Sequence, residues 1–198
     1  MDVNYGGSTG FGRDYRERLN GGWGVVDVAD CAAAAQALIE AGRADPGKIA
    51  IEGGSAGGFT TLAALCFTKV FRAGACRYAV CDLTAMAEET HRFEARYVDR
   101  LVGEWPAARP LYEQRSPLLH ADQIRCPVLF FQGLQDKVVP PEQTERMAEA
   151  LRSNGIPVEV RLFKDEGHGF RNQATPIDVL EQTEVFFRRE LGLAEQPS

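Results

Sequence analysis

The chain has 198 residues, 44% of them hydrophobic and 25% charged, with 22 basic against 28 acidic side chains and a formal net charge of -6. This is the size and composition of one globular domain that can bury its own apolar core, and the acidic balance argues against a nucleic-acid footprint or attraction to an anionic membrane surface. No apolar run reaches the about 18 residues that a spanning helix needs, and MDVNYGGSTG has neither the basic nor the apolar stretch of a signal peptide.

In chain order, residues 2–5 (DVNY) read as the end of a strand and 6–24, rich in glycine, as a loop. Residues 25–41 predict a helix, because Val28, Cys31, Ala32, Ala35, Leu38 and Ile39 share one face at helical spacing. Gly42 ends it and ADPG (44–47) turns the chain. KIAIE (48–52) predicts a short strand, Ser55 to Phe67 an Ala/Leu-rich helix, and AGACRYAVC (73–81) a buried strand. The charged middle, 84–115, predicts helix broken by Pro106 and Pro110. PVLFFQ (127–132) is the clearest strand of the chain, and PEQTERMAEALRSNG (141–155) predicts a helix closed by Gly155. VEVRLF (158–163) alternates, as a strand with one wet face does. Thr175-Pro176-Ile177-Asp178 reads as the cap of a last amphipathic helix running to about Leu191, with 193–198 a frayed tail. Strands alternating with helices imply parallel βαβ units, with ligands bound beyond the C-terminal ends of the strands.

Three candidates lie at such ends. KIAIE runs into Gly53-Gly54-Ser55-Ala56-Gly57-Gly58, a GxSxG between strand and helix. A nucleophile on that strained turn needs tiny residues two before and two after it, here Gly53 and Gly57, and the Ala56 N–H at the helix start can hold an oxyanion. A phosphate loop is the competing reading, yet neither GxxxxGK[ST] nor GxGxxG fits. PVLFFQ leads to Gly133-Leu134-Gln135-Asp136, an acid placed to accept an imidazole Nδ1–H, or an ordinary turn Asp ahead of Pro140. VEVRLF leads to Gly167-His168-Gly169, a histidine expected on an exposed, flexible turn rather than on an apolar face. His91 and His120 read as surface or loop residues, and Asp165 and Glu166 as weaker triad acids than Asp136 because they share the loop of His168. The order Ser55, Asp136, His168 is that of the α/β-hydrolases. The expected fold is therefore an α/β-hydrolase, a mostly parallel sheet with helices on both faces, forming one domain over 1–198. Cys31, Cys66, Cys76, Cys81 and Cys126 are odd in number and show no CxxC spacing. They predict free core thiols in a reducing compartment, the cytoplasm, and no structural zinc.

The chain resembles the catalytic domain of the prolyl oligopeptidase family of serine peptidases, nearest to its acylaminoacyl-peptidase and dipeptidyl-aminopeptidase-like branch. The stretches that carry the resemblance are NYGGSTGFGRDYRERLNGGWGVVDVADC (4–31), IEGGSAGGFTTLAAL (51–65), ARYVDRLVG (95–103), QRSP (114–117), CPVLFFQGLQDKVVPPEQ (126–143) and EGHGF (166–170). It implies Ser55 as nucleophile, Asp136 as acid, His168 as base and the Ala56 N–H as one oxyanion donor. It implies short peptides or acyl-peptides as substrates, an acyl-enzyme, and no metal or organic cofactor. The family also pairs its hydrolase domain with a β-propeller, and an HGGP-like loop supplies the second oxyanion contact. Neither a propeller nor an HGG occurs in these residues. Against the family pattern the domain reads as N-terminally truncated, without a strand that normally lies between DVNY and KIAIE. The position where some relatives carry a substrate-binding Arg or Asn is Val138, beside Lys137. Three expectations follow: a peptidase with open access, low selectivity and a slow turnover; an esterase of small esters with the same triad; or a fragment inactive until a partner supplies the missing strands. Unpaired strand edges would also favour self-association.

Overall fold

The computed structural model describes residues 1–89 and 92–193. His91 and the tail 194–198 lie outside the described residues. Four parallel strands form one sheet in the order β1 (Ala50–Gly54), β2 (Ala73–Arg77), β3 (Val128–Gly133), β4 (Val158–Phe163). The helices are α1 (Arg13–Glu17), α2 (Val26–Glu40), α3 (Ala56–Phe67), α4 (Leu83–Glu89), α5 (Arg92–Leu101), α6 (Arg109–Arg115), α7 (Pro141–Ser153) and α8 (Ala174–Glu190), with a 3-10 segment over Pro117–Gln123.

The two faces of the sheet follow from side-chain alternation. Val128 and Phe130 of β3 and Cys76 of β2 join the larger core, with α2, α3 and α7. Leu129 and Phe131, with Ala73 and Ala75, face the other way and pack on Val179 and Phe186 of α8. All six residues of β3 are buried, as expected of a central parallel strand covered on both sides. Helix α3 is buried from Gly58 to Cys66 because it is wedged among β1, β2, α2 and the 3-10 segment, which is why it is apolar nearly all round. On β4, Val158 and Val160 pack on the larger core, while Arg161 and Glu159 meet Gln182 and Arg189 of α8. The wet face expected of this strand is thus an ion-paired one.

Several expectations need correction. Residues 2–5 are not a strand; they run as coil outside the sheet. The loop 6–24 contains the short α1. Strand β2 stops at Arg77 instead of continuing to 81, because Tyr78 turns the chain with φ 38°. Pro110 stands in the first turn of α6, where its missing N–H costs nothing, so it starts that helix rather than breaking one. Helix α8 begins at Ala174 with no side-chain cap, and Thr175 is occupied elsewhere. His120 is half-buried, with Nδ1 3.2 Å from Gln123 Nε2 and its ring edge-on to Phe67.

Among the described residues strand β1 pairs with β2 on one side only. Along its other flank runs a cavity of about 500 Å³, between Asp2, Val3 and Tyr5 and the run Ile49–Glu52, with Thr60 and Thr61 on its wall. The five cysteines are free thiols. Burial pushes Cys31 and Cys126 up to about 11 and Cys66 up to about 12, so none is a poised thiolate. Among the described residues no helix is long and apolar enough to cross a membrane, and no group of three His, Cys, Asp or Glu side chains is placed to hold a metal ion.

Candidate active site

Ser55 occupies the sharp turn between β1 and α3, at φ 53° and ψ -119°. Two glycines make that turn possible. A Cβ on Gly53 would lie 2.2 Å from the Gly57 carbonyl oxygen, and one on Gly58 would lie 2.6 Å from the Ala79 Cβ. The expected crowding at Gly57 is absent, since a Cβ there would meet nothing within 4 Å. Tightness is needed where the helix start crosses the strand, at Gly53, and where it leans on Ala79, just past the end of β2, at Gly58. The Ser55 N–H donates to the Arg77 carbonyl at 2.9 Å, tying the turn to the end of β2. Below it, the Thr60 hydroxyl donates to Asp27 Oδ2 at 2.5 Å, and Asp27 Oδ1 accepts the Gly24 N–H at 2.7 Å. Burial pushes the Asp27 carboxyl up from the ordinary range. Ala56 is the first residue of α3, and its N–H belongs to the first-turn donors that a helix leaves unpaired.

The structure brings the three sequence candidates together. His168 Nε2 is 2.9 Å from Ser55 Oγ, and His168 Nδ1 is 2.9 Å from Asp136 Oδ2. An ionised carboxylate only accepts, so Nδ1 carries the proton and Nε2 is left to accept from the serine hydroxyl. The Asp136 side chain is wholly buried. Its Oδ1 accepts the N–H groups of Val138 and Val139, each at 2.9 Å, which fixes the direction of Oδ2. Glu166 does not compete for the imidazole. It is buried and turned into its own loop, accepting the N–H of Arg171 at 2.8 Å, that of Asn172 at 3.0 Å, and the Thr175 hydroxyl. The Thr175 hydrogen bond, first among these, holds its carboxyl below the usual range. Asp165 is exposed.

The acid and base loops are braided. Gln135 N–H donates to the Glu166 carbonyl at 2.9 Å, and a Cβ on Gly133 would lie 2.4 Å from that same oxygen. His168 is therefore not the exposed, flexible residue its two glycines suggested. Its side chain is 22% exposed, and its ring lies against Tyr78, centroids 4.7 Å apart.

Two supporting residues escaped the sequence reading. Gln132, wholly buried, points Nε2 at Asp136 Oδ2 (3.4 Å), and its Oε1 accepts from the Thr144 hydroxyl at 2.8 Å. A polar residue inside the most apolar strand was the available signal. Tyr78 carried no such mark. Among the described residues only Ser55, Tyr78 and Phe170 are non-glycine residues with positive φ; the Tyr78 ring lies against the imidazole hydrogen-bonded to Ser55, and Phe170 packs edge-on against Tyr78. Backbone held this way costs on the order of 1–3 kcal/mol per residue and clusters at functional sites.

Residues 1–194 match the prolyl oligopeptidase family. The chain belongs to that family. It is 32% identical over 203 residues to dipeptidyl aminopeptidase BIII of Pseudoxanthomonas mexicana, covering all of this chain and 30% of that protein. It is 33% identical to the acylamino-acid-releasing enzyme of Arabidopsis thaliana, over 94% of this chain and 26% of that one. Among solved structures it is similar to a Mycobacterium tuberculosis puromycin-hydrolyzing peptidase, with TM-score 0.95 and 52% identity over 99% of this chain and 30% of the other. A puromycin hydrolase superposes with TM-score 0.93 at 48% identity, again over 99% and 30%. The fold is the α/β-hydrolase domain of this family, and the chain spans less than a third of the length of these relatives.

Proposed function

We propose that these residues carry the acyl-transfer machinery of a serine peptidase acting on short peptides and aminoacyl amides. The observation that carries the reading is the unbroken relay from Asp136 through His168 to Ser55, with both contacts at 2.9 Å. His168 Nε2 takes the Ser55 proton as Oγ attacks the scissile carbonyl. Asp136 holds the imidazole in the reactive tautomer and steadies the imidazolium. The Ala56 N–H donates to the developing oxyanion. The imidazolium then protonates the leaving amine, and water, deprotonated by His168, releases the acyl group from Ser55.

Losing one oxyanion donor costs on the order of 10²–10³ in kcat. The second contact, which the family draws from an HGGP-like loop, has no counterpart motif in these residues. The open flank of β1 and the cavity beside it offer the position for an added strand bringing such a loop to Ser55. Puromycin, named for two similar structures, supports aminoacyl amides as the substrate class. Five unbridged thiols support a reducing, cytoplasmic setting.

A fluorophosphonate probe tests the reading. The folded chain is expected to label, and Ser55→Ala to abolish labelling. Equal labelling of both proteins, or none of either, overturns it. Turnover of an aminoacyl p-nitroanilide against a p-nitrophenyl ester then separates peptidase from esterase, and ester-only turnover rejects the peptide reading.

A further inference from the structure

We infer that Tyr78 is a positioning residue that seats the imidazole of His168, acting through its aromatic ring and not its hydroxyl. The inference rests on the reading of His168 as the base. Its support is geometric. A strand residue following Arg77 in extended backbone would point to the opposite face of the sheet from Arg77. The φ of 38° at Tyr78 reverses that. A Cβ built on Gly54 would lie 3.2 Å from both Cε2 and Oη of Tyr78 and 3.4 Å from Nε of Arg77, and both side chains line one hollow with Val179, Leu180 and Thr183, so they share the face toward α8. The left-handed backbone is what turns the ring back under the loop that carries His168.

There the ring has two partners. It lies 4.7 Å from the His168 ring at an interplanar angle of 58°, and 4.9 Å from Phe170, edge-on at 86°. Phe170 is itself held at φ 40° and anchored in the core with Phe131 and Val179. The backbone of the pair is pinned as firmly. Tyr78 N–H donates to the Phe131 carbonyl at 2.8 Å, and the preceding carbonyl, of Arg77, accepts the Ser55 N–H at 2.9 Å. One dipeptide thus holds the nucleophile turn by its backbone and supports the base by its side chain. A tyrosine in a conformation that suits glycine far better is explained by what its ring does.

Two substitutions separate ring from backbone. Tyr78→Gly relieves the positive φ and removes the ring, so the fold is kept while the seat is lost. Tyr78→Phe keeps the ring and drops the hydroxyl. Two readouts are taken on the full chain: the rate of Ser55 labelling by a fluorophosphonate, and the low-field proton resonance of His168 Nδ1–H, which reports its bond to Asp136 without requiring turnover. We expect Tyr78→Phe to match wild type in both. Tyr78→Gly should label about 10²-fold more slowly, as a misplacement of about 1 Å does, and should lose the low-field resonance. A Tyr78→Gly protein that labels normally and keeps the resonance overturns the proposal, and so does a Tyr78→Phe protein as impaired as Tyr78→Gly. If wild type does not label, the acyl-transfer reading fails, and the resonance still decides on Tyr78. Its presence in wild type and Tyr78→Phe but not in Tyr78→Gly upholds the seat, and its absence from wild type, or its presence in all three, rejects it.

Discussion

The C-terminal rim of the sheet and the outer flank of β1 are a few residues apart and built to different standards. At the rim, Asp136 accepts from His168, Val138, Val139 and Gln132, and Glu166 from Arg171, Asn172 and Thr175. Along β1 the strand edge is unpaired, a cavity of about 500 Å³ opens, and the buried Thr61 hydroxyl on its wall has no partner among the described residues. The difference shows that the hydrogen-bonded trio of Ser55, His168 and Asp136 is a local product of β1–β4 and their loops.

The largest effect is expected at the buried acid of the rim. Asp136→Asn keeps the shape of the buried side chain but favours the wrong imidazole tautomer. Labelling of Ser55 is expected to slow by about 10⁴-fold with an unchanged circular dichroism spectrum. Labelling within tenfold of wild type would mean that Asp136 is only the turn residue the sequence also allowed.

The glycines of the nucleophile turn give the next largest effect. A Cβ on Gly53 meets backbone at 2.2 Å, whereas one on Gly57 meets nothing. Gly53→Ala should therefore lose labelling and fall in stability by about 1–3 kcal/mol or more. Gly57→Ala should label and melt like wild type. Equal effects at the two positions would show that the turn is looser than its φ of 53° at Ser55 implies.

That pair also marks what was legible in the sequence. The order Ser55, Asp136, His168, each after a predicted strand, picked out three side chains that the structure hydrogen-bonds together, because strand ends, turn glycines and apolar runs are local signals. β3 and β4 were readable for the same reason, and so was α3. Gly57 was misjudged because spacing cannot say which neighbour crowds a glycine; that depends on the carbonyl of Gly57 passing over Gly53 and on Ala79 meeting Gly58. Residues 2–5 read as the end of a strand, but among the described residues nothing pairs with that side of β1 and the segment runs as coil. Tyr78 was invisible, since a positive φ at a tyrosine breaks the local preference that sequence reading depends on.

Glu166 sharpens the rim by pH. Its folded pKa lies below the unfolded value, about 4.3, because three hydrogen bonds favour the carboxylate. Its contribution to stability is therefore fully present above the unfolded pKa and lost as pH falls through the lower, folded one. Urea unfolding of wild type and Glu166→Gln between neutral pH and pH of about 3 should show a difference that shrinks on acidification. A constant difference would assign the loop's closure to other contacts.

The smallest effect lies on the flank. Thr61 is 1% exposed, and its hydroxyl is unpartnered among the described residues. An unsatisfied buried hydroxyl costs about 1–3 kcal/mol, and valine replaces it with a methyl group of similar size. Thr61→Val should thus raise the unfolding free energy by about 1 kcal/mol, the reverse of what a core threonine with a partner would show, while labelling of Ser55 stays unchanged. Thr183, whose hydroxyl donates to the Val179 carbonyl at 2.7 Å, supplies the control: Thr183→Val removes only a helix-internal bond and should move stability by less. A fall in stability for Thr61→Val would show that the hydroxyl is satisfied from the cavity side, and the flank of β1 would then be as completed a surface as the rim.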